Sequence, residues 1–135
     1  MIGVFDTVGD CAEWTFAAEP GAARAARAAV RGRLRTWCLD SLGDLAALLV
    51  SELVTNSLCH ATGPIGVRLV RTAAPGDVLL VEVSDPLPDL PLEREARAED
   101  ESGRGLMLVA MTSRRWGTRP RASGKTVWFE LALPG

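Results

Sequence analysis

The sequence predicts an α+β fold, a two-layer sandwich with a mostly antiparallel sheet and helices on one face. Two stretches in its first half carry apolar residues at helical spacing, and two pairs of strand-like segments follow them, each pair joined by a turn rich in Gly, Pro or Ser. The chain has 135 residues, of which 47% are apolar and 24% charged. That is enough for one core without disulfides or metal clips, so a single domain over residues 1–135 is expected.

Alternation over Ala12–Ala18, with Trp14 and Phe16 set against Glu13 and Thr15, predicts a first strand. Glu19-Pro20 opens a helix that runs to about Trp37, since proline is tolerated at a first helical position. Val30, Leu34 and Trp37 line one side of it, and Arg24, Arg27, Arg31 and Arg35 form a basic stripe on another. The stripe reads either as a solvated face or as a docking surface for an acidic partner. A second helix begins near Ser41, whose hydroxyl and Asp44 three residues on resemble a capping box. Leu45, Leu48, Leu49 and Leu53 give it an apolar stripe, and Gly63-Pro64 ends it soon after His60. Strands over Ile65–Arg71 and Val78–Ser84 flank a turn at Ala74–Asp77. Pro86–Ser102 has three prolines, eight charges and no periodicity, which predicts a long functional loop. A helix starts at Leu106–Met111 after two glycines, and strands over Arg114–Arg119 and Thr126–Leu133 close the chain around Ala122–Gly124.

Composition excludes several classes. A net charge of -2 leaves no global basic field for direct nucleic-acid binding. Three cysteines without CxxC spacing and a single histidine argue against a zinc site and for free buried thiols in a reducing compartment. The N-terminus has no basic n-region, and the apolar run Leu45–Val50 is far short of the ~20 residues of a membrane span. A soluble cytoplasmic protein is the expectation.

Three places could carry chemistry. Glu52, Asn56 and His60 repeat every four residues, which puts a carboxylate, an amide and an imidazole in one row on the second helix. Such a row could hold a hydrated divalent cation and its phosphates, because magnesium takes oxygen ligands and keeps several waters. On spacing alone it reads first as a polar surface strip, with His60 satisfied at the helix end. Asp85 continues the face of Leu79, Val81 and Val83 and must find a donor if buried, although it could be a turn aspartate before Pro86. Gly103-Arg104-Gly105-Leu106 opens a helix after the long loop, and glycines there let backbone amides approach a phosphate.

Taken in order, Glu-x-x-x-Asn on a helix, Asp after a strand and Gly-x-Gly before a helix resemble the nucleotide-binding domain of histidine-kinase-like ATPases, the Bergerat-type fold. The run Ser51–Ala61 is most similar to the helix motif of bacterial anti-sigma-factor serine/threonine kinases, with Ser102–Leu106 and Gly124–Trp128 matching later motifs. The resemblance implies ATP and Mg²⁺ as cofactors, with Asn56 as the magnesium ligand and Glu52 as the catalytic general base. It further implies that His60 approaches the phosphates, that Asp85 accepts the adenine amine, and that Gly103, Arg104, Gly105 and Leu106 cradle the phosphates under a lid at 86–102. Implied partners are an anti-anti-sigma (STAS-type) protein that receives the phosphate, a sigma factor that competes for the kinase, and a second copy in a homodimer. A non-catalytic ATP-dependent binding module is the alternative, and a histidine-kinase fragment a more distant one. Where the family carries Asp-x-Gly-x-Gly, this chain has Asp85-Pro86-Leu87-Pro88-Asp89. Lys125 stands where the family often has threonine, and strand parity puts it on the face of Val127 and Phe129, so no threonine contact carries over to Thr126.

Overall fold

A computed structural model of the chain describes residues 10–60, 63–72, 77–86, 103–121 and 124–133. The elements run β1 (Asp10–Phe16), α1 (Ala22–Thr36), α2 (Asp40–His60), β2 (Ile65–Thr72), β3 (Val78–Asp85), α3 (Gly103–Thr112), β4 (Arg115–Arg121) and β5 (Gly124–Ala132). The five strands form one sheet in the order β1-β2-β3-β5-β4, and every pairing is antiparallel. The α+β reading therefore holds, with a fully antiparallel sheet. The turns at 73–76 and 122–123 and the lid at 87–102 lie outside the described residues.

One continuous core joins helices and strands. α1 contributes Ala22, Ala26, Val30 and Leu34, an i, i+4 series that the alanines extend about two turns beyond the apolar stripe of the sequence. Small side chains there let α1 lie close to α2. From α2 come Ala46, Leu49, Val50, Leu53 and Val54, and from the sheet Ile65, Val67, Leu69, Leu79, Val81, Val83, Val127, Phe129 and Leu131. The helices pack on the sheet face that carries these residues. The opposite face carries Arg68, Glu82, Ser84 and Thr126, as strand alternation requires.

Four expectations are corrected. Leu48 is 44% exposed, because α2 is wedged between α1 and the sheet and buries the arc through Ala46, Ala47 and Val50 instead. Ser41 lies inside the first turn of α2 and is not its cap, and Asp44 pairs with Arg31 at 3.2 Å. α3 begins at Gly103, so both glycines lie inside its first turn and not before it. All three cysteines are free, as expected, but exposed.

Cys38 owes its exposure to the link between α1 and α2. It sits at φ 62, while the Leu39 amide donates to the Leu34 carbonyl and the Cys38 amide to that of Arg35. This is a Schellman-like stop closed by the buried pair Leu34 and Leu39, with a cysteine where glycine is usual. α2 is long and apolar enough over Asp40–Cys59 to cross a membrane by length and composition, yet 56% of that window is buried inside the fold.

Candidate functional site

The second half of α2 lies over the end of β3. Ser57, the residue after Asn56, donates from Oγ to Asp85 Oδ2 at 2.9 Å across the helix–sheet boundary. Asn56 is 8% exposed and Asp85 only 3%, so an amide and a carboxylate are each withdrawn from solvent. Burial of polar groups is tolerated only where each finds a partner. Among the described residues no buried side-chain nitrogen or oxygen lacks one. Glu52, one turn before Asn56, is half-buried. The His60 side chain, like those of Gly103, Arg104 and Gly105, lies outside the described residues, and Leu106 is half-buried against the core. α3 packs against α2 and β4.

Sequence reasoning missed the partner that dominates Asp85. Its register partner across the β3–β5 ladder is Lys125, and Lys125 Nζ reaches Asp85 Oδ2 at 2.6 Å. Side-chain exposures of 16% for the lysine and 3% for the aspartate make this a buried ion pair. Lys125 shares a face with Val127 and Phe129, as parity requires, and that parity was the signal that could have named Asp85 as its mate. Gly124 makes the approach possible. It sits at φ 146, and a Cβ there would fall 1.9 Å from the Asp85 carbonyl oxygen. Only glycine accepts both that backbone conformation and that proximity.

On the open face of the sheet a second polar group stands apart from this one. Glu82 is 8% exposed and holds Arg68 on Oε1 at 2.9 Å and Arg119 on Oε2. Arg68 also reaches Glu13 at 3.4 Å. Burial pushes the Glu82 carboxyl up, but the hydrogen bonds from Arg119 and Arg68 outweigh it and leave the group below its ordinary value. The Arg68 guanidinium is raised, chiefly by its hydrogen bond to Glu82. Beside them the hydroxyls of Ser84 and Thr126 meet at 2.7 Å. These groups line a cavity of about 520 Å³ that also takes in Thr15, Gly66 and Arg121 and touches the first cluster only at Asp85 and Pro86.

The arginine stripe of α1 is exposed along Arg24, Arg27, Arg31 and Arg35. Arg31 is tied to Asp44, and Arg33 stacks over Trp37 at 5.9 Å.

No protein-family profile matches the chain. It is 41% identical over 87 residues to the uncharacterized protein SCO4941 of Streptomyces coelicolor, a match that covers 62% of this chain and 81% of the other. The chain belongs to that protein's family. The Streptomyces relative adds no activity or ligand to the reading, so the geometry of the two polar clusters carries the functional argument.

Proposed function

We propose that this protein is a Bergerat-type ATP-binding domain that acts with Mg²⁺ as a serine/threonine kinase of the anti-sigma class. The observation that supports the reading is the hydrogen bond from Ser57 to Asp85, which seats α2 over the carboxylate ending β3 one residue on from Asn56. A buried carboxylate is an acceptor suited to the exocyclic amine of adenine. Among the described residues no cluster of three His, Cys, Asp or Glu side chains could hold a metal unaided. A cation here fits one amide oxygen, that of Asn56, together with waters and the phosphates that accompany it. Bound magnesium would supply charge neutralisation on the phosphates.

In this reading Asp85 orients the base, Glu52 takes the proton of the attacking serine hydroxyl, and His60 with Gly103, Arg104, Gly105 and Leu106 lies along the phosphates. The phosphate acceptor is a serine on an anti-anti-sigma partner of the STAS type, a sigma factor competes for the same protein, and the working unit is a cytoplasmic homodimer. The Lys125–Asp85 pair, and Leu87 and Asp89 in place of the two glycines of the family's aspartate motif, favour a second reading, a non-catalytic ATP-dependent binding module.

Calorimetry with ATP, ADP and GTP in magnesium tests the nucleotide. Adenine nucleotides are expected to bind and GTP to bind far more weakly; equal GTP affinity, or no ATP binding, defeats the assignment. Labelled ATP with candidate STAS-type partners then separates kinase from module. Glu52→Gln should keep binding and lose the ~10²–10⁴-fold of a missing general base, whereas a parent protein that transfers no phosphate leaves the module.

A further inference from the structure

Of the 15 basic residues in the chain only one is lysine, Lys125. It occupies the position facing Asp85 in the β3–β5 ladder. Each of the others is an arginine, whose planar fork spreads its charge and suits bidentate or shared pairing. Lysine ends in a compact ammonium on a flexible four-carbon stem, and here that ammonium lies 2.6 Å from a carboxylate oxygen of Asp85.

Asp85 Oδ2 accepts from two donors at once, Ser57 Oγ at 2.9 Å and Lys125 Nζ at 2.6 Å. A carboxylate oxygen offers two lone-pair sites, so these two donors fill it. An amine arriving at Oδ2 must replace one of them. Ser57 is fixed on α2, with its short side chain buried at the helix–sheet boundary. Lys125 can swing away, because its backbone is held by the ladder while its ammonium lies four carbons beyond it.

We propose that Lys125 is a tethered competitor for the base. Its ammonium holds the Asp85 oxygen that the exocyclic amine of an adenine nucleotide would use, and nucleotide enters by displacing it. This rests on the adenine reading of Asp85 given above. The pair keeps the empty site electrically balanced, since a buried carboxylate without a counter-charge is costly. It also sets affinity: each nucleotide that binds must open an ion pair already made, so the intact protein binds more weakly than its pocket would allow.

Because Lys125 is the only lysine, its reactivity can be followed in the unaltered protein. Acetylation by an N-hydroxysuccinimide ester, read by mass spectrometry of the peptide containing residue 125, should be slow without nucleotide. It should quicken roughly tenfold or more under saturating Mg-ATP, in step with opening of a pair that protects the amine. ATP that binds without raising the rate overturns the proposal. In parallel, Lys125→Ser should bind ATP about tenfold more tightly than the parent, a change well within calorimetric reach. Lys125→Met, which keeps the bulk but not the charge, should also bind more tightly. Folded variants that bind as the parent does, or more weakly, overturn the competitor while the nucleotide assignment stands. If neither parent nor variants bind ATP or ADP, the nucleotide assignment falls and takes the competitor with it.

Discussion

On the helix side of the sheet one lysine meets one aspartate with both side chains withdrawn from water, at exposures of 16% and 3%. On the open side one buried glutamate is shared by two arginines whose side chains remain 43% and 51% exposed. The difference lies in who bears the cost of desolvation. At Asp85 both ions are buried, so removing either one carries the cost of leaving the other's charge in the interior without its counter-ion. At Glu82 only the carboxylate is buried, while the arginines lay their stems along the sheet and keep part of their charge in solvent. The first arrangement is a fixed pair that a ligand must break. The second is an adaptable network in which one arginine can leave while the other holds the carboxylate.

This contrast can be broken most severely at the residue that serves both sides. Gly124→Ala places a methyl group on the Asp85 backbone at a positive φ, in the strand that also carries Thr126 to the open face. A loss of at least ~3 kcal/mol is expected. Urea unfolding close to that of the parent would show that the β3–β5 junction relaxes easily.

Next in size is Asp85→Ala, which takes the buried carboxylate from the Lys125 ammonium and should cost about 3–5 kcal/mol. The double change Asp85→Ala with Lys125→Met should recover much of that loss, because the penalty belongs to the unpaired ion more than to the absent pair. Additive losses in the double variant would contradict a mutually dependent pair.

Glu82→Gln should cost less, about 1–2 kcal/mol near neutral pH, because Arg68 and Arg119 can turn to water. Its pH dependence has a defined sign. The folded carboxyl lies below its ordinary value of 4.5, so the unfolded chain takes up the proton first. The stabilisation is present above about 4.5 and is lost as pH falls through the lower folded value. The gap between parent and variant in thermal melts should therefore close in acid. A gap that persists there would remove the ion pairs as its cause.

The smallest expected effect is a gain outside both clusters. Cys38→Gly relieves a side chain held at φ 62 and should stabilise by about 0.5–1 kcal/mol. Denaturant midpoints measure it, and nucleotide binding and the acid response should be unchanged. A shift in either would mean that the α1–α2 link is coupled to the sheet.

The elements themselves were legible because local periodicity creates them. Alternation through Leu79, Val81, Val83 and Asp85 assigned the aspartate to the helix face, where it is found buried. Four-residue spacing put Glu52 and Asn56 on one side of α2, and parity put Lys125 with Val127 and Phe129. Other details followed from packing between elements. Leu48 belongs to an apolar stripe by spacing alone, and its exposure follows from where α1 and the sheet meet α2. Buried thiols are the default for free cysteine, yet Cys38 is turned outward by the stop between two helices.

By itself the sequence determined the α+β class, the order of helices and strands, the strand face on which Asp85 and Lys125 lie, and the motif that suggests a nucleotide. These depend on neighbours within a few residues, where helix and strand geometry fix direction. Only the tertiary structure decided that Asp85 meets Ser57 28 residues before it and Lys125 40 residues after it, both on one oxygen. It likewise decided that Glu82 draws arginines from β2 and β4 onto the open face. Such pairings depend on strand register and on the seating of a helix over a sheet. Alternation settles which face of each strand is buried, but which residues meet across elements far apart in sequence is settled only when helix and strands pack as one core.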